Sequence, residues 1–250
     1  MSDAIFHHRS IRKYKTGAVP EKIMTRILEA GIRASTTGNM QLYSIIVSSD
    51  KKIKQELAPC HFNQPMVTQA PHLLTFCADF NRFNLWCELR GAQPGYDNFL
   101  SFVTASIDAL LVAQNVCIEA EEQGLGICYL GTTTYMAEKI IEVLDLPKGV
   151  VPITTITLGY PDESPGLTDR LPLEAVVHKE KYMDYSSDQI EKLYAEKESL
   201  EIYRNIVKEN NTANLAQVFT DIRYTKKDNI SFSKALLKVL EKQGFMNQNS

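Results

Sequence analysis

Six of the seven residues at 7–13 carry groups able to do chemistry: His7, His8, Arg9, Ser10, Arg12 and Lys13. A phosphate dianion takes such a donor set, with forked charge-assisted bonds from guanidinium groups and a neutral one from a hydroxyl. Each charged hydrogen bond contributes about 1.5–3 kcal/mol. Basic residues near a chain end are also often only a solvated tail, and this segment alone leaves both readings open. A hydrolytic serine is poorly supported, because no G-x-S-x-G elbow occurs in the chain.

Three further stretches could serve a ligand. Residues 34–41, ASTTGNMQ, hold five hydroxyl or amide side chains in eight positions; they read either as an ordinary polar turn or as a hydrogen-bonding wall for a planar polar molecule. Residues 124–132, GLGICYLGT, mimic a dinucleotide fingerprint and fail it. Tyr129 stands where the third glycine belongs, and the stretch follows a helical pattern instead of a strand. What survives is a strand whose end, Gly131-Thr132, can offer backbone amides. Finally, Arg170 lies in an irregular loop, DRLP, and gains interest only if it meets the first cluster in space. The five cysteines, Cys60, Cys77, Cys87, Cys117 and Cys128, show no CxxC spacing. They argue against a disulfide framework or a structural zinc site and read as reduced core residues of a cytoplasmic protein. A catalytic thiol would need a histidine and a third group beside it.

The elements that must position these groups follow from periodicity. Residues 20–34 read as a helix with Pro20 at its first position and Ile23, Met24, Ile27, Leu28 and Gly31 on one face. Segments 43–48, 72–78, 126–130 and 151–158 are β-branched or apolar and read as strands. Residues 51–57 and 136–144 read as short helices, the second stopped before Pro147. Residues 99–123 form the longest helical pattern, about 37 Å at ~1.5 Å per residue, ended by Gly124. Beyond the turn-rich 159–172, residues 186–204 open on a capping-box pattern, Ser186 and Gln189. Residues 208–228 read as loop, and 232–243 as a last amphipathic helix before Gly244. Helices outweigh strands without alternating regularly with them, which favours an α+β sandwich.

The chain has 250 residues, 44% apolar and 23% charged, enough for a large core. Its net charge of −3 counts against a nucleic-acid binder. No uninterrupted apolar run approaches the ~18 residues of a membrane span, and residues 1–12 lack a signal-peptide core, so no membrane partner is expected.

Taken in order, HRSIR at 8–12, the Ser/Thr-rich turn, FCADF at 76–80, GLGICYLG, LGYP at 158–161 and RLP at 170–172 resemble the FMN-dependent nitroreductase superfamily. The resemblance is strongest to oxygen-insensitive NAD(P)H nitroreductases and flavin reductases with an extended carboxy-terminal region, and runs to KQGF at 242–245. It implies a three-layer fold with a central, mostly antiparallel sheet, an FMN-binding core at 1–184 and a helical extension at 185–250 that packs on the core or on a dimer partner. His8, Arg9 and Ser10 would hold the FMN phosphate, and Arg170 would return to it. Arg12 would sit by N1 and O2 of the isoalloxazine. Ser35 and Thr36 would line the cofactor. Gln64, with Pro65 and Met66 beside it, would contact the ring, and Tyr129, Leu130, Gly131 and Thr132 would pass along it. The resemblance further implies two-electron ping-pong hydride transfer from NAD(P)H to a nitroaromatic, quinone or flavin, in a homodimer, with no metal and no catalytic side chain. A flavin reductase that releases reduced flavin is the alternative, and a non-catalytic flavin-binding module a further one. Relatives carry Lys two residues before the loop arginine, where this chain has Thr168. One cation is missing there; Lys208 and Arg223 become the candidates for the nucleotide, and NADH becomes plausible beside NADPH.

Overall fold

Four segments rich in β-branched and apolar residues pair into one antiparallel sheet: β1 Tyr43–Ser48, β2 His72–Asp79, β3 Gly126–Leu130 and β4 Val150–Gly159, in the order β1-β2-β4-β3. The computed structural model describes residues 3–248. The central strands β2 and β4 are buried on both faces, which is why they read as continuous runs. Between Phe76 and Cys77 the register skips Ile153, next to Pro152, so the residue that cannot donate a ladder bond sits at a bulge.

Helices cover both faces. On one lie α2 (Glu21–Gly31) and α6 (Phe99–Glu122), whose Ile27, Val112 and Val116 pack on Leu74, Phe76, Ile127, Ile156 and Leu158. On the other lie α3 (Lys51–Leu57), α4 (Pro65–Gln69) and α7 (Ala137–Val143), over Leu73, Cys128 and Leu130. Two short helices complete this part, α1 (Ala4–His7) and α5 (Asn81–Leu89). The fold is the expected α+β sandwich of three layers. Pro20 proves to be the cap residue of α2, outside its first turn. Asn98 caps α6 by accepting from Ser101 N at 3.0 Å. At the other end Gly124 turns the chain with φ 74°, and Leu125 N donates back to Ala120 O at 2.9 Å, which sends the chain straight into β3.

By length and composition α6 is apolar enough to cross a bilayer, contrary to the expectation from uninterrupted runs, but half of that window is buried within the protein. Its other face leaves Ile107, Leu110 and Leu111 more than 40% exposed.

The chain divides into two compact units, one ending at Gly166 and resuming at Phe232, the other Leu167–Ser231. This differs from the expected boundary at 184/185: the irregular loop with Arg170 belongs to the second unit, and the chain end belongs to the first. There Val239, Leu240 and Phe245 pack with Leu42, Phe80 and Phe102, and this apolar anchor is what returns the tail to the sheet. In the second unit α8 (Ser187–Ser199) opens with the expected capping box, Gln189 N to Ser186 Oγ at 3.3 Å and Ser186 N to Gln189 Oε1 at 2.8 Å. The expected loop at 208–228 is instead largely helical: α9 (Glu201–Glu209), α10 (Leu215–Gln217), a π-helical turn Val218–Arg223, and the start of α11 (Lys226–Gln243). Only Leu215 and Val218 of 208–228 are buried, so a polar, solvated surface hid these helices from a reading based on apolar periodicity.

Gly126 is the tightest requirement of β3. A Cβ there would stand 2.6–2.9 Å from three atoms of the buried Ile11 side chain. Gly126→Ala should cost about 1–3 kcal/mol in urea unfolding; an unchanged midpoint would show that Ile11 yields freely.

Candidate functional site

The amino-terminal cluster is not a solvated tail. After α1 the chain runs beside β3: Ser10 bridges Ile127 in parallel, and Ile11 N donates to Ile127 O at 2.8 Å. Tyr14 OH donates to Ile11 O at 2.6 Å and lies 2.6 Å from Thr157 Oγ1. Burial pushes the Tyr14 phenol pKa up, so it stays protonated. Glu163 Oε1 accepts from the backbone amides of Arg12 (2.5 Å) and Lys13 (3.1 Å). With its backbone committed, the segment presents its side chains at fixed places. His8 is drawn to Glu121, Nδ1 to Oε1 2.7 Å, which leaves only its Nε2 for a ligand. Arg9 makes one long bond to Ser164 Oγ, 3.4 Å, and Arg12 is exposed. Among the described residues no carboxylate pairs with Arg9 or Arg12.

A second wall rises from the end of β3. Tyr129 is half-buried, its OH 3.4 Å from Gln114 Oε1 and its pKa pushed up by burial and the neighbouring Cys117. Leu130 is buried and Gly131 is exposed. A Cβ on Gly131 would meet nothing within 4 Å; the protein's own packing does not demand glycine there, and the open side is free for close approach. Thr132 Oγ1 lies 2.8 Å from His61 Nδ1, and Gln64 Nε2 donates to His61 O at 3.1 Å. Gln64 and Pro65 begin α4, and Met66 is buried. Ile11, Met66, Cys128 and Leu130 share one core cluster. Segments 8–12, 64–66 and 129–132, far apart in sequence, are thereby held on one apolar base.

The other expected residues make local contacts of their own. Ser35 and Thr36 precede a 3-10 turn whose Thr37 donates to Asp108 Oδ1 from N (2.9 Å) and Oγ1 (3.2 Å), while Leu42 N donates to Asp108 Oδ2 at 3.3 Å. Asp108, buried in α6, thus ties the 35–42 stretch to that helix. Among the described residues no hydrogen bond joins Ser35 or Thr36 to segments 8–12 or 129–132. Arg170 lies in the second unit and is exposed, folded onto its own loop through Nη1 to Thr168 Oγ1 (2.7 Å) and Asp169 O (2.9 Å). Asp169 is held by Lys197 Nζ at 2.7 Å and by the Tyr203 hydroxyl at 2.5 Å, so α8 and α9 fix the loop that carries Arg170. Lys208 and Arg223, also in the second unit, are exposed and make no ion pair among the described residues. Sequence reading missed His61, Asp108 and Glu163; each is a lone residue whose partners are remote, and nothing in its local spacing marks it.

The donor set suits a phosphorylated planar heterocycle. Two guanidinium groups without carboxylate partners among the described residues and the Ser10 hydroxyl match a phosphate; Gln64, Thr132 and the open flank of Gly131 match the polar edge of a flat ring. The cleft beside Arg9, about 250 Å³, also contains Glu121 and Glu163, whose carboxylates are taken up by His8 and by the Arg12 and Lys13 amides. Among the described residues no cluster of side chains could hold a metal ion.

Comparison with known proteins agrees with this chemistry. The profile of the nitroreductase family matches residues 5–160. The chain is 37% identical over 182 residues, 72% of its length and 73% of the relative's, to an FMN reductase (NADPH) of Bacillus subtilis (strain 168). A crystal structure from Bacteroides fragilis NCTC 9343 superposes with a TM-score of 0.97 at 54% identity, covering 98% of this chain and 100% of that one. The NfrA1 nitroreductase of B. subtilis gives 0.85 at 30% identity, over 97% and 98%.

Two stability predictions follow from the buried polar groups. Asp108→Ala removes the acceptor for three donors and should lower the unfolding free energy by roughly 3 kcal/mol; a loss below about 1 kcal/mol would mean that the 35–42 stretch is not held by Asp108. Burial alone lowers the His61 pKa to about 4. The unfolded chain, with a histidine near ~6.5, binds a proton that the folded chain refuses, so stability falls as pH drops from about 6.5 to about 4. At ~1.36 kcal/mol per pKa unit this amounts to about 3 kcal/mol. Urea titrations stepped across that range should show a shallower pH slope for His61→Asn; an identical slope would contradict it.

Proposed function

The chain belongs to the nitroreductase family, and from that premise we propose that it is an FMN-dependent oxidoreductase that draws electrons from NADPH or NADH and passes them to nitroaromatics, quinones or free flavin. The observation that carries this reading is the common base of Ile11, Met66 and Leu130, which sets uncommitted cations beside a polar wall with an open flank. FMN, when bound, supplies the hydride chemistry. The chain's own residues bind and orient. Arg9 and Ser10, with His8 Nε2, hold the phosphate, and Arg170 joins them. Arg12 would hold the N1–O2 edge, where its charge would favour the reduced state. Gln64, Pro65, Met66, Tyr129, Leu130, Gly131 and Thr132 line the ring. No side chain is assigned as acid or base: His61 is enclosed and held neutral by burial, and Tyr129 keeps its proton. Lys208 and Arg223 are assigned to the nicotinamide nucleotide. Release of reduced flavin to another protein is the second reading, favoured by the relative that is itself an FMN reductase.

A homodimer completes the site in this reading. The exposed Ile107, Leu110 and Leu111 of α6 offer the apolar face, and Ser35 and Thr36, tied to the same helix through Asp108, are supplied across that face. Five unpaired thiols suit the reducing cytoplasm.

The purified protein should be yellow, carry one FMN per chain and bleach anaerobically with NADPH or NADH; the faster of the two sets its nucleotide preference. A colourless protein that neither binds FMN nor oxidises either nucleotide would overturn the reading. Arg9→Ala and Arg170→Ala should each raise the FMN Kd roughly tenfold, at ~1.4 kcal/mol; full flavin retention in both would remove the assigned phosphate pocket. Leu110→Glu should shift the gel-filtration peak from dimer to monomer, whereas a wild-type monomer would contradict the dimer.

A further inference from the structure

His61 is fully enclosed, yet only one of its ring nitrogens is satisfied. Nδ1 lies 2.8 Å from Thr132 Oγ1, while Nε2 is buried with no partner among the described residues. From this geometry we infer that His61 is a positioning residue: its Nδ1–H donates to Thr132 Oγ1, which leaves the Thr132 hydroxyl proton free to donate to the bound flavin ring.

A neutral imidazole carries one N–H. Placed on Nε2, that proton would be a buried donor with nothing to accept it. Placed on Nδ1, it meets the Thr132 oxygen, and Nε2 keeps only an unfilled lone pair. Buried N–H groups without acceptors are the rarer defect, so the second tautomer is favoured. The imidazolium form would add both the orphan donor and a buried charge; burial accordingly keeps the ring neutral. A hydroxyl has one proton and two lone pairs. Thr132 gives one lone pair to His61, and Oγ1 has no other protein partner among the described residues. Its proton is therefore unspent, on a half-buried residue directly after the open flank of Gly131.

The same histidine holds the other half of the wall, since its backbone carbonyl accepts from Gln64 Nε2. Between them Phe62 and Asn63 both adopt left-handed backbone, φ 55° and 54°. Two successive non-glycine residues in that region are costly and are retained where the surroundings fix them. Here the turn lets His61 face inward while Gln64 opens α4. One buried residue thus sets two groups on a common wall.

This inference rests on the flavin placement proposed above, and the test separates the two. First, long-range proton–nitrogen NMR on the apoprotein at pH 7 should show one histidine locked with its proton on Nδ1, its signal absent from His61→Asn. A proton on Nε2, or a ring that averages both tautomers, overturns the inference whether or not flavin binds. Second, with the Thr132 hydroxyl donating to a ring carbonyl oxygen, which gathers negative charge on reduction, the midpoint potential of protein-bound FMN should fall in Thr132→Val and in His61→Leu, equivalent to a roughly tenfold loss of preference for reduced over oxidised FMN. The double variant should fall no further than either single one, and Thr132→Ser should match the wild type. Because Thr132→Val leaves the imidazole in place, it reports even if His61→Leu fails to fold. Holoprotein variants with unchanged potentials overturn the donor role and leave the oxidoreductase reading standing; a wild type that takes up no FMN sinks both.

Discussion

The site depends on one contact: the side chain of Ile11 lying against a glycine. Only the missing Cβ of Gly126 lets residues 10–12 run within hydrogen-bonding distance of β3. That contact converts a charged chain end into a rigid edge of the sheet. Tyr14, its hydroxyl set against Thr157 of β4, donates to Ile11 O, and Glu163 in the turn after β4 accepts from the amides of Arg12 and Lys13. Arg9 and Arg12 have no carboxylate partners among the described residues, so their positive potential is available to an anion. The GLGICYLG stretch has a distinct use for each glycine. Gly124 ends α6 with positive φ, Gly126 admits Ile11, and Gly131 leaves open space.

Around that edge, buried polar groups act as joints between elements that share little sequence proximity. His61 links the entry of α4 to the turn after β3, and Asp108 links the 35–42 stretch to α6. In the second unit the part-buried Asp169, Lys197 and Tyr203 fix the loop of Arg170 through a similar set of bonds. Buried groups of this kind specify position because leaving any of them unpaired is costly. The chemistry itself belongs to the cofactor, and the chain's task is to place a phosphate and the edge of a ring.

Much of the core was legible because its elements obey one period each. Segments 43–48, 51–57 and 126–130 form as strand, helix and strand over those same residues. β4 gained a residue at each end, since Val150 and Gly159 pair with Asp79 and Gly126. The helix over Asn81–Leu89 was not seen: it buries no residue fully and exposes Leu85, Trp86 and Leu89. The helical turns within 208–228 escaped for the same reason. Among site residues, motif order pointed to segments 8–12, 64–66 and 129–132, which do meet. It could not show that His8 is taken by Glu121, nor that His61 bonds Thr132, because those pairs are set by tertiary packing alone.

The most direct test of the account is a crystal structure of the protein grown with FMN. The phosphate should lie on Arg9 and Ser10, and the isoalloxazine beside Gln64 and the Tyr129–Thr132 edge with Thr132 Oγ1 within hydrogen-bonding distance of a ring acceptor. Flavin density elsewhere, or none at saturating FMN, would contradict it.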